Sequence, residues 1–420
     1  MDRHATDFEL KEVVLESITG DNIDLVLLVT EINVYENLFN SSITADFVIN
    51  DALNTIKNLP ITGHEWIRFS FKTPGNPNFI QLHLRVYKID ARELEKERRQ
   101  FYILRCIDNI EFINAQTRIS KSYKGMLISD IANDIQTNFL SSSFISIEPT
   151  KNLFHIIPPY WTPIKTLNFL ASRANSQKYV GSNYVYYQTV DGFNFESIES
   201  LCDTYPPVQN YIFQTANVRK DIPEGYKPRT VDLDQIALES YKFANNLDTL
   251  ENITNGMYTN RLIWHDIQRK QFGINDFDYP NSYPNFQHIE PNNVKGGLSY
   301  LWTSKSDFNT NVYGECKLYP IGLPGQENHV ADWMQPRLSQ MQQLQNIRLY
   351  VTIPGDSLRR VGDLVSVTLP SPEALVEDQL QLEDYLTDRY LVVGVRHTIN
   401  KAKYVTHLEL VKDSIFKAYP

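Results

Sequence analysis

The chain reads as mainly β with α+β insertions: two antiparallel β-barrel domains, one inserted α+β domain and one irregular domain. Three observations predict this. Tyr and Phe are abundant, at 24 and 21 residues, and with frequent Thr, Val and Ile they suit a pleated, half-buried surface better than a helix. Short β-branched and aromatic runs, separated by turn residues, occupy both ends of the sequence. Between them, a few stretches change to helical spacing.

The N-terminal region alternates as strands do. Ile23 to Val34, Ile43 to Ile49, Trp66 to Lys72, Phe79 to Tyr87 and Phe101 to Ile107 are the expected strands. Five strands with tight turns favour a closed antiparallel barrel over residues 1–115, because closure removes exposed edges. The charged run Arg92 to Arg99 is expected as a solvated hairpin tip.

The period then changes. From Gly125 to Phe139, residues Met126, Ile128, Ile131, Ile135 and Phe139 stand at helical spacing. Thr162 followed by Pro163 is a cap followed by a first-turn proline, with Leu167, Leu170 and Ala171 on one face of the helix it starts. Tyr184 to Gln188 and Asn194 to Ile198 flank Asp191-Gly192 and form a hairpin. Residues 116–208 are therefore expected as an inserted α+β domain.

A second barrel is expected from 209–245 and 329–412, interrupted by an irregular β and loop domain over 246–328. A helix from His329 to Gln345, with Trp333, Leu338, Met341 and Leu344 inward and Gln and Arg outward, precedes its last strands. Those strands are Arg348 to Ile353, Val361 to Leu369, Arg389 to His397 and Lys403 to Val411, with Pro354-Gly355-Asp356 after the first. They read as consecutive antiparallel strands. Residues 413–420 form a tail.

Composition narrows the function. The formal net charge of −10 argues against a nucleic-acid clamp. No run approaches the roughly 18 apolar residues that span a bilayer, and Met1-Asp-Arg-His-Ala does not read as a signal peptide, so a soluble protein made in a cytoplasm is expected. Cys106, Cys202 and Cys316 are far apart and fit buried thiols, not a zinc or disulfide framework.

Each candidate for chemistry has a plainer explanation. His64-Glu65-Trp66 lacks the second His of a metalloprotease motif. Asp232-Leu-Asp234 and Asp276-Phe-Asp278 lack the Gly and terminal Glu of a calcium loop. Asn40-Ser-Ser42 and Asn252-Ile-Thr254 match a glycosylation sequon without a secretory signal. Glu196 and Glu199 are a carboxylate pair of the kind glycosidases use, though surface acids fit as well. His397 and His407 lie in facing strands, where a hydrogen-bonded pair that orders the barrel is favoured over a metal site. No catalytic, cofactor-binding or metal residue is assigned, and no cofactor is expected.

The strand, Pro-Gly-Asp turn, Val361-Gly-Asp-Leu-Val-Ser-Val367, Tyr390 to His397 and Tyr404 to Leu410 together resemble the central baseplate hub proteins of contractile-tailed bacteriophages. Ile32 to Leu38 with Leu59 to Ile67, Ile119 to Gly125, Ile156 to Pro163 and Tyr184 to Ile198 resemble the same family in the same order. Residues 256–323 carry none of these motifs. The resemblance implies a non-enzymatic homotrimer of two tube-like barrels per subunit, in a pseudo-sixfold ring between a sixfold tail tube and a threefold spike. It implies a tail-tube or tube-initiator protein above, a spike below, and baseplate wedge and tape-measure proteins as further partners. DNA would pass through the lumen without specific binding, and no small-molecule substrate is implied. The place of action would be the virion tail baseplate, after assembly in the host cytoplasm. Alternatives are a spike-base protein of a phage-like injection machine, a cell-wall-degrading tail enzyme and a carbohydrate-binding β-protein.

Overall fold

The computed structural model describes residues 4–17, 20–52, 61–96, 99–204, 206–213, 235–246, 248–266, 270–293, 316–320, 322–323, 326–327, 329–371, 383 and 385–417. The first strands are β1 (Glu9–Glu16), β2 (Asn22–Asp24), β3 (Val29–Asn37), β4 (Thr44–Asp51), β5 (Trp66–Lys72), β6 (Ile80–Lys96) and β7 (Arg99–Ile107). They pair antiparallel in the order β2-β1-β5-β6-β7-β4-β3. Alternation decides which face turns inward. In β4, Ala45, Phe47 and Ile49 are fully buried against Phe69, Phe71 and Leu104.

The single run expected from Ile23 to Val34 is broken. The Asp24 carboxylate accepts the Val26 N–H at 2.9 Å, and Leu25 to Leu28 turns the chain between β2 and β3. The hairpin of the charged run is present up to Lys96↔Arg99, and its tip, residues 97–98, lies outside the described residues.

The next stretch comprises α1 (Asn109–Gln116), β8 (Tyr123–Leu127), α2 (Ile128–Asn138), β9 (Phe144–Ile147), β10 (Thr150–Lys151), β11 (Leu153–Ile156), α3 (Pro163–Ala171), β12 (Asn175–Ser176), β13 (Tyr184–Thr189), β14 (Gly192–Ser197) and α4 (Ile198–Cys202). Thr162 caps α3 through the Lys165 N–H. Ile131, Ile135, Leu167, Leu170, Tyr184 and Phe195 make its core. Helix α2 starts three residues later than expected, because Tyr123 to Leu127 pairs with β11 and Gly125 takes a φ of 63°.

The remainder contains β15 (Gln209–Phe213), β16 (Ala237–Leu238), β17 (Ser240–Asn246), α5 (Thr249–Thr254), β18 (Thr259–Asp266), β19 (Gln271–Asp278), α6 (Tyr279–Ser282), β20 (Asn292–Asn293), β21 (Cys316–Pro320), β22 (Gly322–Leu323), β23 (Gln326–Glu327), α7 (Val330–Leu344), β24 (Ile347–Pro354), β25 (Leu364–Thr368), β26 (Asp388–Asn400), β27 (Tyr404–Lys412) and β28 (Ser414–Ile415). The last long strands do not pair consecutively throughout. Strand β24 pairs with β27, β27 with β26 and β26 with β25, so β24 and β25 are not neighbours.

Strand β26 joins the two strand groups. Residues Leu364–Val367 of β25 pair with Asp388–Leu391, whereas Asn37–Glu31 of β3 pair with Gly394–Asn400, and β27 runs along the other side. At 13 residues, or about 44 Å of extended chain, β26 is long enough to leave one group and enter the other. The ladder is consequently one 14-stranded sheet, and no closed barrel is found among the described residues. The nearest approach to closure is at residues 237–246, which pair with β15 through β16 and with β24 through β17.

A buried clasp fixes the joint. Thr73 Oγ1 donates to the Gly355 carbonyl at 2.9 Å and accepts the Ser357 N–H at 3.0 Å, and the Thr73 N–H donates to Ser357 Oγ at 3.1 Å. Gly355 has to be glycine, since a Cβ there would lie 2.0 Å from the Tyr404 ring.

Candidate functional site: a polar face shared by two strand groups

Because β3 and β26 pair in register, outward side chains from both groups form one surface. Tyr350, Glu409, Gly394 and Asn37 follow one another across β24, β27, β26 and β3. Beside them run Thr352, His407, Arg396, Tyr35 and Thr44, which continue onto β4. A third row takes Thr398, Asn33, Asp46, Arg105 and Lys88 across β26, β3, β4, β7 and β6. The first two rows, with Asp46 and Arg105 of the third, border a groove of about 690 Å³.

The charges of the face are matched. Arg105 Nε lies 2.9 Å from Asp90 and its Nη1 3.6 Å from Asp46, and Lys88 lies 3.2 Å from Asp90. Arg348 lies 3.2 Å from Glu409 and Arg396 3.8 Å from Glu31. Arg396 also donates to Asn33 Oδ1 at 2.9 Å and stands over the Tyr35 ring. The Tyr35 hydroxyl is pushed up by burial, against the pull of Arg396. His407, bonded to Thr352 Oγ1 at 3.1 Å, is held below its ordinary value by burial and by Arg396 and Lys403. It is neutral at pH 7.

Beneath this face lies a second polar layer. Glu36 is buried where β3 meets two other segments, and its carboxylate accepts the Val190 N–H at 3.3 Å and the Val361 N–H at 3.5 Å. Burial pushes its pKa up to about 7 against the opposing pull of Arg360. Arg360 in turn pairs with Asp191 at 2.7 Å. His397 is fully buried, bonded to the Tyr404 hydroxyl at 2.8 Å, and pushed down to about 3 by burial and Arg360.

The motifs singled out in the sequence lie mostly elsewhere. His397 and His407 point to opposite sides of the β26–β27 ladder, so they do not form a pair and each is ordered by its own hydroxyl partner. Glu65 accepts the N–H groups of Thr62, Gly63 and His64 at 2.7 to 3.0 Å. Burial raises it, but these bonds outweigh burial and hold the carboxyl below its usual range. Glu196 accepts from the Tyr187 hydroxyl, whereas Glu199 is buried and accepts from the Gly181 and Gln287 N–H groups.

Asp276 pairs with Arg261, and Asp278 caps α6 through the Asn281 N–H. Asp232 and Asp234 lie outside the described residues. Asn40 borders the groove and Asn252 is buried, bonded to Asn346. Cys106 and Cys202 are buried free thiols, while Cys316 lies in β21. Among the described residues, no group of three or more His, Cys, Asp or Glu is placed to hold a metal ion. None of their helices is long and apolar enough to cross a membrane.

The shared face was not anticipated from sequence. Its signal, alternating polar residues in β3, β24, β26 and β27, was visible, but the pairing of Tyr35 with Arg396 was not.

No family model matches the chain, and no curated protein matches it. Solved structures do. The tail protein from Neisseria meningitidis MC58 is similar at 13% identity and a TM-score of 0.53, over 97% of this chain and 99% of that one. The 43 kDa tail protein of prophage MuSo2 from Shewanella oneidensis is similar at 10% identity and a TM-score of 0.58, over 96% and 99%. The chain is mainly β and shares the fold of these two tail proteins.

Proposed function

We propose that this chain is a structural baseplate hub subunit of a contractile phage tail. Three copies form a ring that joins a sixfold tail tube to a threefold spike. Each copy contributes two tube-like units, residues 1–115 and 209–245 with 329–412, so three copies offer six similar units to the tube. Residues 116–208 and 246–328 are insertions in this plan, whereas the stretch expected as a tail is packed at its start: Ser414–Ile415 is buried as β28 and pairs with β20. Its place is the virion tail, its partners are tube and spike proteins, and it carries no catalytic, cofactor or metal site.

The observation that carries this reading is the shared face. A surface that runs unbroken across both strand groups, with Arg105, Arg348, Arg396 and Lys88 each matched by a carboxylate, suits the lining of a DNA channel. An unmatched basic lining would bind phosphates and hold the genome back. The similarity in fold to two tail proteins supports the same assignment.

Mass measurement in solution, alone and with a threefold spike protein, tests the proposal. A threefold assembly is expected at least in the presence of the spike. A stable dimer in both conditions, or clearing of murein by the purified chain in a zymogram, would overturn it.

A further inference from the structure

The ion pairs of the shared face have an arrangement that fold stability does not account for. Arg105, Arg396, Arg348 and Lys88 keep 37, 44, 30 and 54% of their side-chain surface in contact with solvent. Pairs this exposed contribute little to stability. Three of the four reach a carboxylate on a neighbouring strand: Arg348 on β24 meets Glu409 on β27, Arg396 on β26 meets Glu31 on β3, and Arg105 on β7 meets both Asp46 on β4 and Asp90 on β6. Lys88 shares Asp90 from its own strand. Arg105 and Arg396 line the groove together with Asp46 and Glu409, and Lys88 and Arg348 stand beside them on the same face, Lys88 opposite Arg105 and Arg348 against Glu409. On the flanking strand, Lys242 faces the same way opposite Tyr350 and is exposed.

We infer that Glu31, Asp46, Asp90 and Glu409 act as charge masks, which keep a latent duplex-DNA-binding row of Arg105, Arg348, Arg396 and Lys88 from engaging phosphates. The inference rests on the channel reading above and adds to it which residues make the lining non-adhesive. A duplex presents a charge about every 1.7 Å along its axis, so four freed cations on one face give a sequence-independent, salt-sensitive attraction. With the masks in place, each cation already has an anion that moves with it.

The test is fluorescence anisotropy of a labelled duplex with the full chain and its E31Q/D46N/D90N/E409Q variant, each sample also weighed for its oligomeric state. The variant is expected to bind at least tenfold more tightly than the parent at about 50 mM salt, and to lose about a hundredfold in affinity by about 200 mM, as expected for some four phosphate contacts. A second variant, D46N/D90N, frees only Arg105 and Lys88; it is expected to fold as the parent does and to show a shallower salt slope.

E9Q/D134N/D203N/D276N is the matched control, since it removes the partners of Lys72, Lys121, Lys178 and Arg261 away from the groove. Equal binding by this control, or no gain in either face variant, overturns the inference. A threefold assembly in which the face variants gain no affinity defeats masking and leaves the ring. DNA binding by the face variants with no assembly defeats the ring and leaves masking.

Discussion

At Glu36 a carboxyl group has been taken out of water where β3, the β13–β14 turn and the loop before β25 meet. Arg360, Asp191, Tyr187 and Tyr404 are the ionisable groups that sense it. Its pKa is raised from 4.5 to about 7, so the folded protein holds a proton there that the unfolded chain has released. The stability this contributes is fully present below about pH 4.5 and is lost as pH rises through 7, a difference of about 3 kcal/mol. Urea unfolding at pH 5.5, 7 and 8.5 should show this fall in the parent, and E36Q should flatten it. An unchanged slope in E36Q would assign the dependence elsewhere. Gly355 is the other residue on which the joint depends: G355A drives a methyl group into the Tyr404 ring. A cost of about 1–3 kcal/mol is expected from the urea midpoint, with partial recovery when Tyr404 is shortened to Leu.

Elements differ in how far they could be read in advance. Strands β4 and β5 were legible because one face is buried on each and alternation follows from that. Helix α3 was legible because Thr162 and Pro163 act locally. Helix α7 was located correctly but its inward face was misjudged. Trp333 and Leu344 are buried as expected, while Gln335, Gln340 and Gln343 are buried with them.

Each of these Gln side chains has its partner on a distant segment: Gln335 on the Asn260 and Asn275 carbonyls, Gln340 on Glu199 and Gln343 on the Asp413 carbonyl. Arg337 also turns inward, and donates to the carbonyls of Ala171, Ser182 and Tyr184, while burial pushes its pKa down to about 10. Hydropathy patterns register apolar content and cannot register such partners. Replacing Arg337 by Met leaves three buried carbonyls short of a donor, and a loss of about 2–4 kcal/mol is expected in thermal unfolding.

For the whole molecule, the decisive interaction is non-local. The expectation of two closed barrels followed from strand content, but strand content does not say where a strand's second edge goes. Strand β26 spends one edge partly on β25 and partly on β3, more than 350 residues upstream. The shared face exists only through that pairing, which is why it was invisible in sequence. The Thr73 clasp holds the same joint from the other side. T73V keeps the shape and removes the hydroxyl, so faster hydrogen exchange at the Ser357 amide, with little change at Phe47 in the centre of β4, is the expected outcome.

The ladder between Gly394–Asn400 and Asn37–Glu31 also has a mechanical direction. A load along the strands must shear all seven registered pairs together, whereas a load across them opens the pairs one after another. The molecule is therefore stiff to tension parallel to β26 and weak to peeling at right angles to it. A subunit placed so that the working stroke of a tail ran along that strand would transmit force without parting its two halves.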